Sequence, residues 1–314
     1  MLLAGGTPAL PGARASRPLL SFKREASVHL LWSQTVPAPL RGLSLARERE
    51  TVLAWDGQDG LLLFNRAGAI QAQRPSAVPV SAVCAADDGS AFAIGGSPGA
   101  VCWLAPDLAP RWQQSLPQRV TAIALEPLGR YVAVADAGCT LHLLDERGRV
   151  VWRATPPRPL AHLAFVPEKP VVIGAADFGL VVCFGSSGEC LWRDGLVAHV
   201  GSLAVRGDGD GVLLACFGDG LYRYGATGPP QQRIPLDAPC SLAALSYTGD
   251  WLLTASRDRR ASLREREGSL RDQFSFESAI VSLALGALGD YGVAGLADGA
   301  IHRLELTTSA MPLR

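Results

Sequence analysis

Apolar and small residues recur along this chain at intervals of forty positions. Advancing by that interval from Leu43 gives Val83, Ile123, Leu163, Leu203, Ala243 and Leu283, and advancing from Leu45 gives Ala85, Leu125, Phe165, Val205, Leu245 and Leu285. Both columns are apolar in all seven copies. The column between them is small throughout: Ser44, Cys84, Ala124, Ala164, Ala204, Ala244 and Ala284. This alternation predicts a strand whose second face meets a crowded neighbour. A period of this length also implies repeated supersecondary units that bury a core only by stacking on one another.

Glycine punctuates each copy. Gly89, Gly129, Gly209, Gly249 and Gly289 stand six positions after the first column, and the pairs Asp88-Gly89 and Asp208-Gly209 predict tight primed hairpin turns. Second strands follow in RYVAVADA (130 to 137), PVVIGAAD (170 to 177) and DWLLTASR (250 to 257). GLLLF (60 to 64), TLHLLD (140 to 145), GLVVCF (179 to 184), GLYRY (220 to 224) and AIHRLE (300 to 305) predict third strands. A fourth begins after Gly68, Gly148, Gly188, Gly228 and Gly268 and carries Trp112, Trp152 and Trp192 at one phase. Each repeat therefore predicts a four-stranded antiparallel blade, with no segment of helical periodicity.

The last repeat stops after AIHRLEL (300 to 306), before a fourth strand can be drawn. VHLLWSQT (28 to 35) supplies one, since Trp32 stands two periods before Trp112. Pairing the two chain ends would close a ring and remove an exposed sheet edge. The expected organisation is a flexible arm over 1–27, the repeat ring over 28–306 with 28–35 as closing strand, and a tail over 307–314.

Composition narrows the function. Of 314 residues, 48% are hydrophobic and 18% charged, enough apolar material for a packed core. The 29 basic and 29 acidic side chains cancel, so no global field attracts nucleic acid or an anionic membrane. Seven cysteines without a Cys-x-x-Cys pair fit reduced thiols better than disulfides or a zinc site. The stretch LLAGGTPALPG after Met1 has no basic region of the kind that opens a secretory signal, so a cytoplasmic location is expected.

This grammar resembles the WD-repeat and the related quinoprotein-like β-propellers over nearly the whole chain. The resemblance implies an all-β, seven-bladed β-propeller closed by an N-terminal strand. The motifs are degenerate: Phe64-Asn65, Leu144-Asp145, Phe184-Gly185 and Leu304-Glu305 stand where the family's Trp-Asp ends the third strand, and Ala198-His199 is the nearest approach to its Gly-His opening. Gly148-Arg-Val-Val-Trp152 and Gly188-Glu-Cys-Leu-Trp192 are similar to the Gly-x-x-x-Trp ending of quinoprotein-like blades.

Candidate chemistry is sparse. Gly95-Gly96-Ser97-Pro98-Gly99 has the spacing of a serine-hydrolase elbow, but a strand rather than a helix is expected after it, so an ordinary turn is favoured. Gly207-Asp-Gly-Asp-Gly211 lacks a third carboxylate for calcium and a following helix for phosphate, and predicts a hairpin turn. His29, His142, His162, His199 and His302 form no close cluster, and Cys84, Cys102, Cys183 and Cys216 fall within strands, so packing roles are expected. No catalytic residue, metal ligand or cofactor is assigned.

In propellers generally, the inter-blade connections and the turns joining second to third strands converge around one channel mouth. Arg119, Arg158 and His199 fall in such connections, and Arg257, Arg259 and Arg260 concentrate charge in blade six, beside Arg264-Glu-Arg-Glu267. These six residues are the candidate partner-binding set. The expected function is a non-enzymatic scaffold that binds one or more proteins on a loop face as part of a larger complex. The alternatives are a quinone- or small-ligand-binding enzyme of the quinoprotein kind and a nucleic-acid-associated propeller.

Overall fold

The computed structural model describes residues 25–167, 171–196, 198–225, 228–256 and 258–309. Every helix or strand among them is a strand, and the strands form seven four-stranded antiparallel sheets. Blade 1 comprises Leu40–Ala46, Thr51–Asp56, Gly60–Phe64 and Ile70–Pro75; blade 2 comprises Phe92–Gly96 and Ala100–Leu104 between Val80–Ala85 and Pro110–Ser115. Blade 3 runs from Val120–Leu125 through Tyr131–Asp136 and Leu141–Asp145 to Val150–Ala154. Blade 4 contains His162–Val166, Val171–Ala175, Val181–Phe184 and Cys190–Asp194, and blade 5 contains His199–Val205, Gly211–Phe217, Gly220–Gly225 and Gly228–Ile234. Blade 6 uses Leu242–Leu245, Trp251–Ala255, Arg260–Glu265 and Leu270–Ser275; blade 7 uses Ile280–Leu285, Tyr291–Leu296, Ala300–Ser309 and, from the other chain end, Glu25–Thr35. The first strands of successive blades lie side by side around a central channel, making this a seven-bladed β-propeller.

The closing pair extends beyond the sequence expectation. Trp32 faces Arg303 and Gln34 faces Ile301, but the ladder continues from Ser27 and Thr307 to Glu25 and Ser309, with a bulge between Leu30 and Trp32. Strand pairing thus includes 25–27 and 307–309, assigned above to arm and tail, because backbone pairing can continue where side-chain patterning gives no signal. Residues 1–24 and 310–314 lie outside the described residues. The hairpins joining first to second strands also differ from expectation. Gly89 has a φ of 69° while Asp87 and Asp88 do not enter the left-handed region, and its N–H donates to Ala86 O at 3.0 Å. That is a turn ended by one left-handed glycine, whereas a primed turn of the Asp-Gly kind needs positive φ at both central residues.

Burial explains the reading of each strand. Val52, Leu53 and Ala54, like Val132 and Ala133, are fully buried because neighbouring blades cover both faces of the second strands. Fourth strands sit at the rim, so Ile70–Pro75 is mostly exposed. Adjacent blades are locked there by a side chain of one and a turn of the next. Trp32 lies so close over Gly68 that a Cβ at this glycine would come within 2.9 Å of the indole, whose Nε1–H donates to Arg66 O at 3.0 Å. Trp112, Trp152 and Trp192 cover Gly148, Gly188 and Gly228 in the same way. Three junctions depart from this: Gln232 and Asp272 stand at the tryptophan position in blades 5 and 6, and between blades 1 and 2 Ala72 replaces the tryptophan and Leu108 the glycine. Leu108 takes a φ of 64°, costly for a side chain with a Cβ, and is 1% exposed, filling the space an indole occupies elsewhere.

Hydroxyls stitch the inner strands together. Ser44 Oγ accepts from Ala85 N at 3.0 Å, Ser81 Oγ donates to Val120 O at 3.1 Å, and Thr121 Oγ1 donates to Leu160 O at 2.7 Å. His162 Nε2 donates to Val200 O at 3.2 Å, Ser202 Oγ accepts from Ala243 N at 2.8 Å, and Ser282 Oγ donates to Leu43 O at 3.3 Å. These contacts bridge six of the seven blade junctions and satisfy backbone groups that the innermost strand edges would leave unpaired.

Candidate functional site

The channel, about 500 Å³, opens between two unlike ends. One end carries the inter-blade connections and the turns between second and third strands. Backbone bonds fix each connection to a turn: Gly57 N–H donates to Pro39 O at 2.8 Å, Ala137 N–H to Arg119 O at 2.9 Å and Val200 N–H to Asp177 O at 2.9 Å. Side chains on this surface are therefore held by a rigid frame.

Arg119, Arg158 and His199 all lie exposed on this end. Neither guanidinium has a hydrogen-bond or ion-pair partner among the described residues. Arg158 lies over the Gly179 turn, where an added Cβ would be 3.6 Å from its Cζ. Next to that glycine, Phe178 is 38% exposed and its ring centroid is 4.9 Å from that of His199. His199 pairs across its hairpin with Phe217, itself 37% exposed. The three rings thus form a row running from blade 4 onto blade 5. On blade 1, the half-buried Trp55 lies across Gly42, where a Cβ would come within 2.2 Å of the indole, and Arg41 stands beside it.

The blade-six candidates behave differently. Arg257 lies outside the described residues. Arg259 donates to Glu277 O at 3.0 Å, and Arg260 Nε sits 3.3 Å from Asp258 Oδ2. Arg264 is buried, bonded to Asp237 at 2.6 Å and to Gly268 O at 3.1 Å, so part of that charge concentration is structural. Sequence reasoning missed Phe178, Phe217 and Trp55, although the repeat register carries a signal for each. Equivalent positions hold Gly138 and Gly218 against Phe178, Ser97 and Ala137 against Phe217, and Gly95, Ala135 and Ala175 against Trp55.

At the opposite end one group of charges around the channel mouth is tied together. Tyr247 Oη donates to Asp87 Oδ2 at 2.5 Å across the channel mouth, from the first turn of blade 6 to that of blade 2. Arg47 Nε lies 3.7 Å from Asp87 Oδ1, and its guanidinium sits 5.1 Å from the Tyr247 ring centroid. Burial and the Asp87 carboxylate hold the Tyr247 phenol well above its ordinary pKa, so it remains a donor. Beside these, the buried Arg303 pairs with Glu50, which Arg66 also contacts at 3.2 Å, and Arg130 pairs with Glu126 at 2.7 Å.

The remaining motifs resolve into packing. Ser97 lies in a turn between two strands, and the glycines around it are dictated by close approach: a Cβ at Gly96 would meet Pro79 O at 1.6 Å, and one at Gly99 would meet Leu116 O at 2.2 Å. Asp208, within the Gly-Asp-Gly-Asp-Gly run, pairs with Arg206 and accepts from Asp210 N at 2.9 Å. His142, 3% exposed, bonds Asp136 Oδ2 at 3.0 Å, while Asp136 Oδ1 caps the turn through Gly138 N and Thr140 N. Burial pushes the Cys183 and Cys216 thiols up to about 12 and Cys240 to about 11, leaving them protonated and poorly nucleophilic. Among the described residues, no group of three or more His, Cys, Asp or Glu is placed to hold a metal ion, and no helix is long and apolar enough to cross a membrane. No protein-family model matches the chain, and no curated protein sequence matches it; its classification rests on architecture, that of a seven-bladed β-propeller.

Proposed function

We propose that this chain is a non-enzymatic protein-interaction platform of the cytoplasm, a subunit or adaptor that engages its partner on the end bearing the inter-blade connections. The observation that carries the reading is the unpaired guanidinium of Arg158 beside the exposed rings of Phe178 and His199, with the exposed Phe217 paired opposite His199 and a second unpaired guanidinium, Arg119, on the connection into blade 3 of the same end. Aromatic and arginine side chains on a rigid frame are the groups that dominate protein interfaces. The tryptophan-on-glycine contacts between blades support placing the chain as a divergent relative of the WD-repeat and quinoprotein-like propellers.

The test is crosslinking of the tagged full chain to its partner in native cells, followed by peptide mapping. Crosslinks on 155–161, 176–180 and 195–199, lost in Arg158→Glu with Phe178→Ala but retained in the opposite-end variant Leu288→Asp, are expected. Crosslinks confined to the Tyr247 end would overturn the assignment.

A further inference from the structure

The ring row and its two guanidiniums have a chemical character of their own. Five carboxylates lie on this end of blades 3 to 5, counting Asp237 of the connection that leaves blade 5, which holds Arg264 at 2.6 Å. Asp136 is spent on its turn and on His142, Asp194 accepts the Tyr224 hydroxyl at 2.8 Å, and Asp219 bonds Arg233 at 3.2 Å. Only Asp177 has no hydrogen-bond or ion-pair partner for its carboxylate among the described residues, against Arg119 and Arg158 without partners and an exposed His199. The uncommitted charge of the sector is therefore positive, while its surface is aromatic.

We propose that Phe178, His199 and Phe217, with Arg119 and Arg158, take a short acidic peptide segment carrying one large apolar side chain. The rings seat that side chain, and the guanidinium forks receive flanking carboxylates through paired N–H donors. This rests on the platform reading and adds the chemistry of the partner. A peptide is favoured over a polynucleotide because the uncommitted Asp177 adjoins the rings. A continuous phosphate backbone would meet that charge, whereas a peptide can place an uncharged residue there.

The full chain, displayed as purified protein, would be panned with a random-peptide phage library in parallel with Arg119→Glu/Arg158→Glu and Phe178→Ala/Phe217→Ala variants. All changed side chains are exposed, and unchanged melting would verify folding. Enrichment of sequences with Asp or Glu flanking a Phe, Trp or Leu is expected, with a synthetic consensus peptide binding each variant about tenfold or more weakly. Peptides without acidic bias, equal binding to the variants, or no enrichment would overturn the proposal. So would a twenty-nucleotide oligothymidine that binds more tightly than the consensus peptide and loses binding in the same variants. Peptides that need this face but lack acidic residues would sink the acidic assignment and leave the platform standing; native crosslinks at the Tyr247 end would instead sink the platform.

Discussion

The two ends of this ring use the same residue types for opposite purposes. Toward the Tyr247 end a set of arginines is consumed: Arg47 and Tyr247 meet Asp87, Arg303 and Arg66 meet Glu50, and Arg130 meets Glu126. At the other end, Arg119 and Arg158 meet no carboxylate among the described residues, and Phe178, His199 and Phe217 are exposed. An arginine that is satisfied internally holds blades together, and one left unsatisfied on a rigid loop is available to a second molecule. Charge content alone, equal in sign across the chain, does not distinguish them.

Opening the ring should have the largest effect, because both ends depend on its closure. Deleting residues 1–36 removes the strand Glu25–Thr35 and exposes the edge of Ala300–Ser309. The expected result is loss of the cooperative thermal transition and aggregation during size-exclusion chromatography; retained melting would refute closure. Next in size is the consumed end. Glu50→Gln leaves the Arg303 guanidinium, 3% exposed, without its counter-charge and should cost about 3 kcal/mol in urea unfolding. A loss no larger than that of a surface variant would mean that the pair is ornamental.

A smaller effect is set by pH. Burial holds His162 and His302 below the ordinary histidine pKa of 6.5, against the opposing pull of Asp177 on His162 and of Asp298 on His302. As pH falls below about 6.5, the unfolded chain takes up these protons before the folded one, so stability declines until the depressed folded values are passed and is flat below them. Each histidine contributes at most about 1.4 kcal/mol per pH unit in that window. Replacing both with glutamine should flatten this part of the urea-unfolding profile; an unchanged slope would contradict it. Least of all, Arg119→Ala, Arg158→Ala and Phe178→Ala should each shift stability by no more than about 0.5 kcal/mol. A large loss in any of them would move that residue into the structural class and dissolve the contrast.

Strands and closure were legible because packing between neighbouring blades keeps the repeat columns apolar through divergence, as Leu43 to Leu283 show. Turn geometry was not, since Asp88-Gly89 fits both a primed turn and the single left-handed glycine found here. Half of the candidate surface was legible: Arg119, Arg158 and His199 follow from register alone. Phe178 and Phe217 were overlooked because an aromatic inside a strand-rich repeat reads as core until it is compared with the small residues at equivalent positions. Arg47, Asp87 and Tyr247 occupy one repeat position, filled elsewhere by Pro127, Pro167, Gly207 and Ala287. Their meeting across the mouth depends on the radius of the ring, a quantity no local spacing encodes.

The exchange of tryptophan and glycine for Ala72 and Leu108 means that the repeats, though alike in outline, are not spare parts for one another. A copy of blade 3 transplanted into second place would bring a glycine beneath Ala72 and leave a void. A copy of blade 4 in first place would drive an indole into Leu108. Divergence has keyed each neighbour to the next, so recombination within the gene must carry both halves of a junction together to yield a ring that closes.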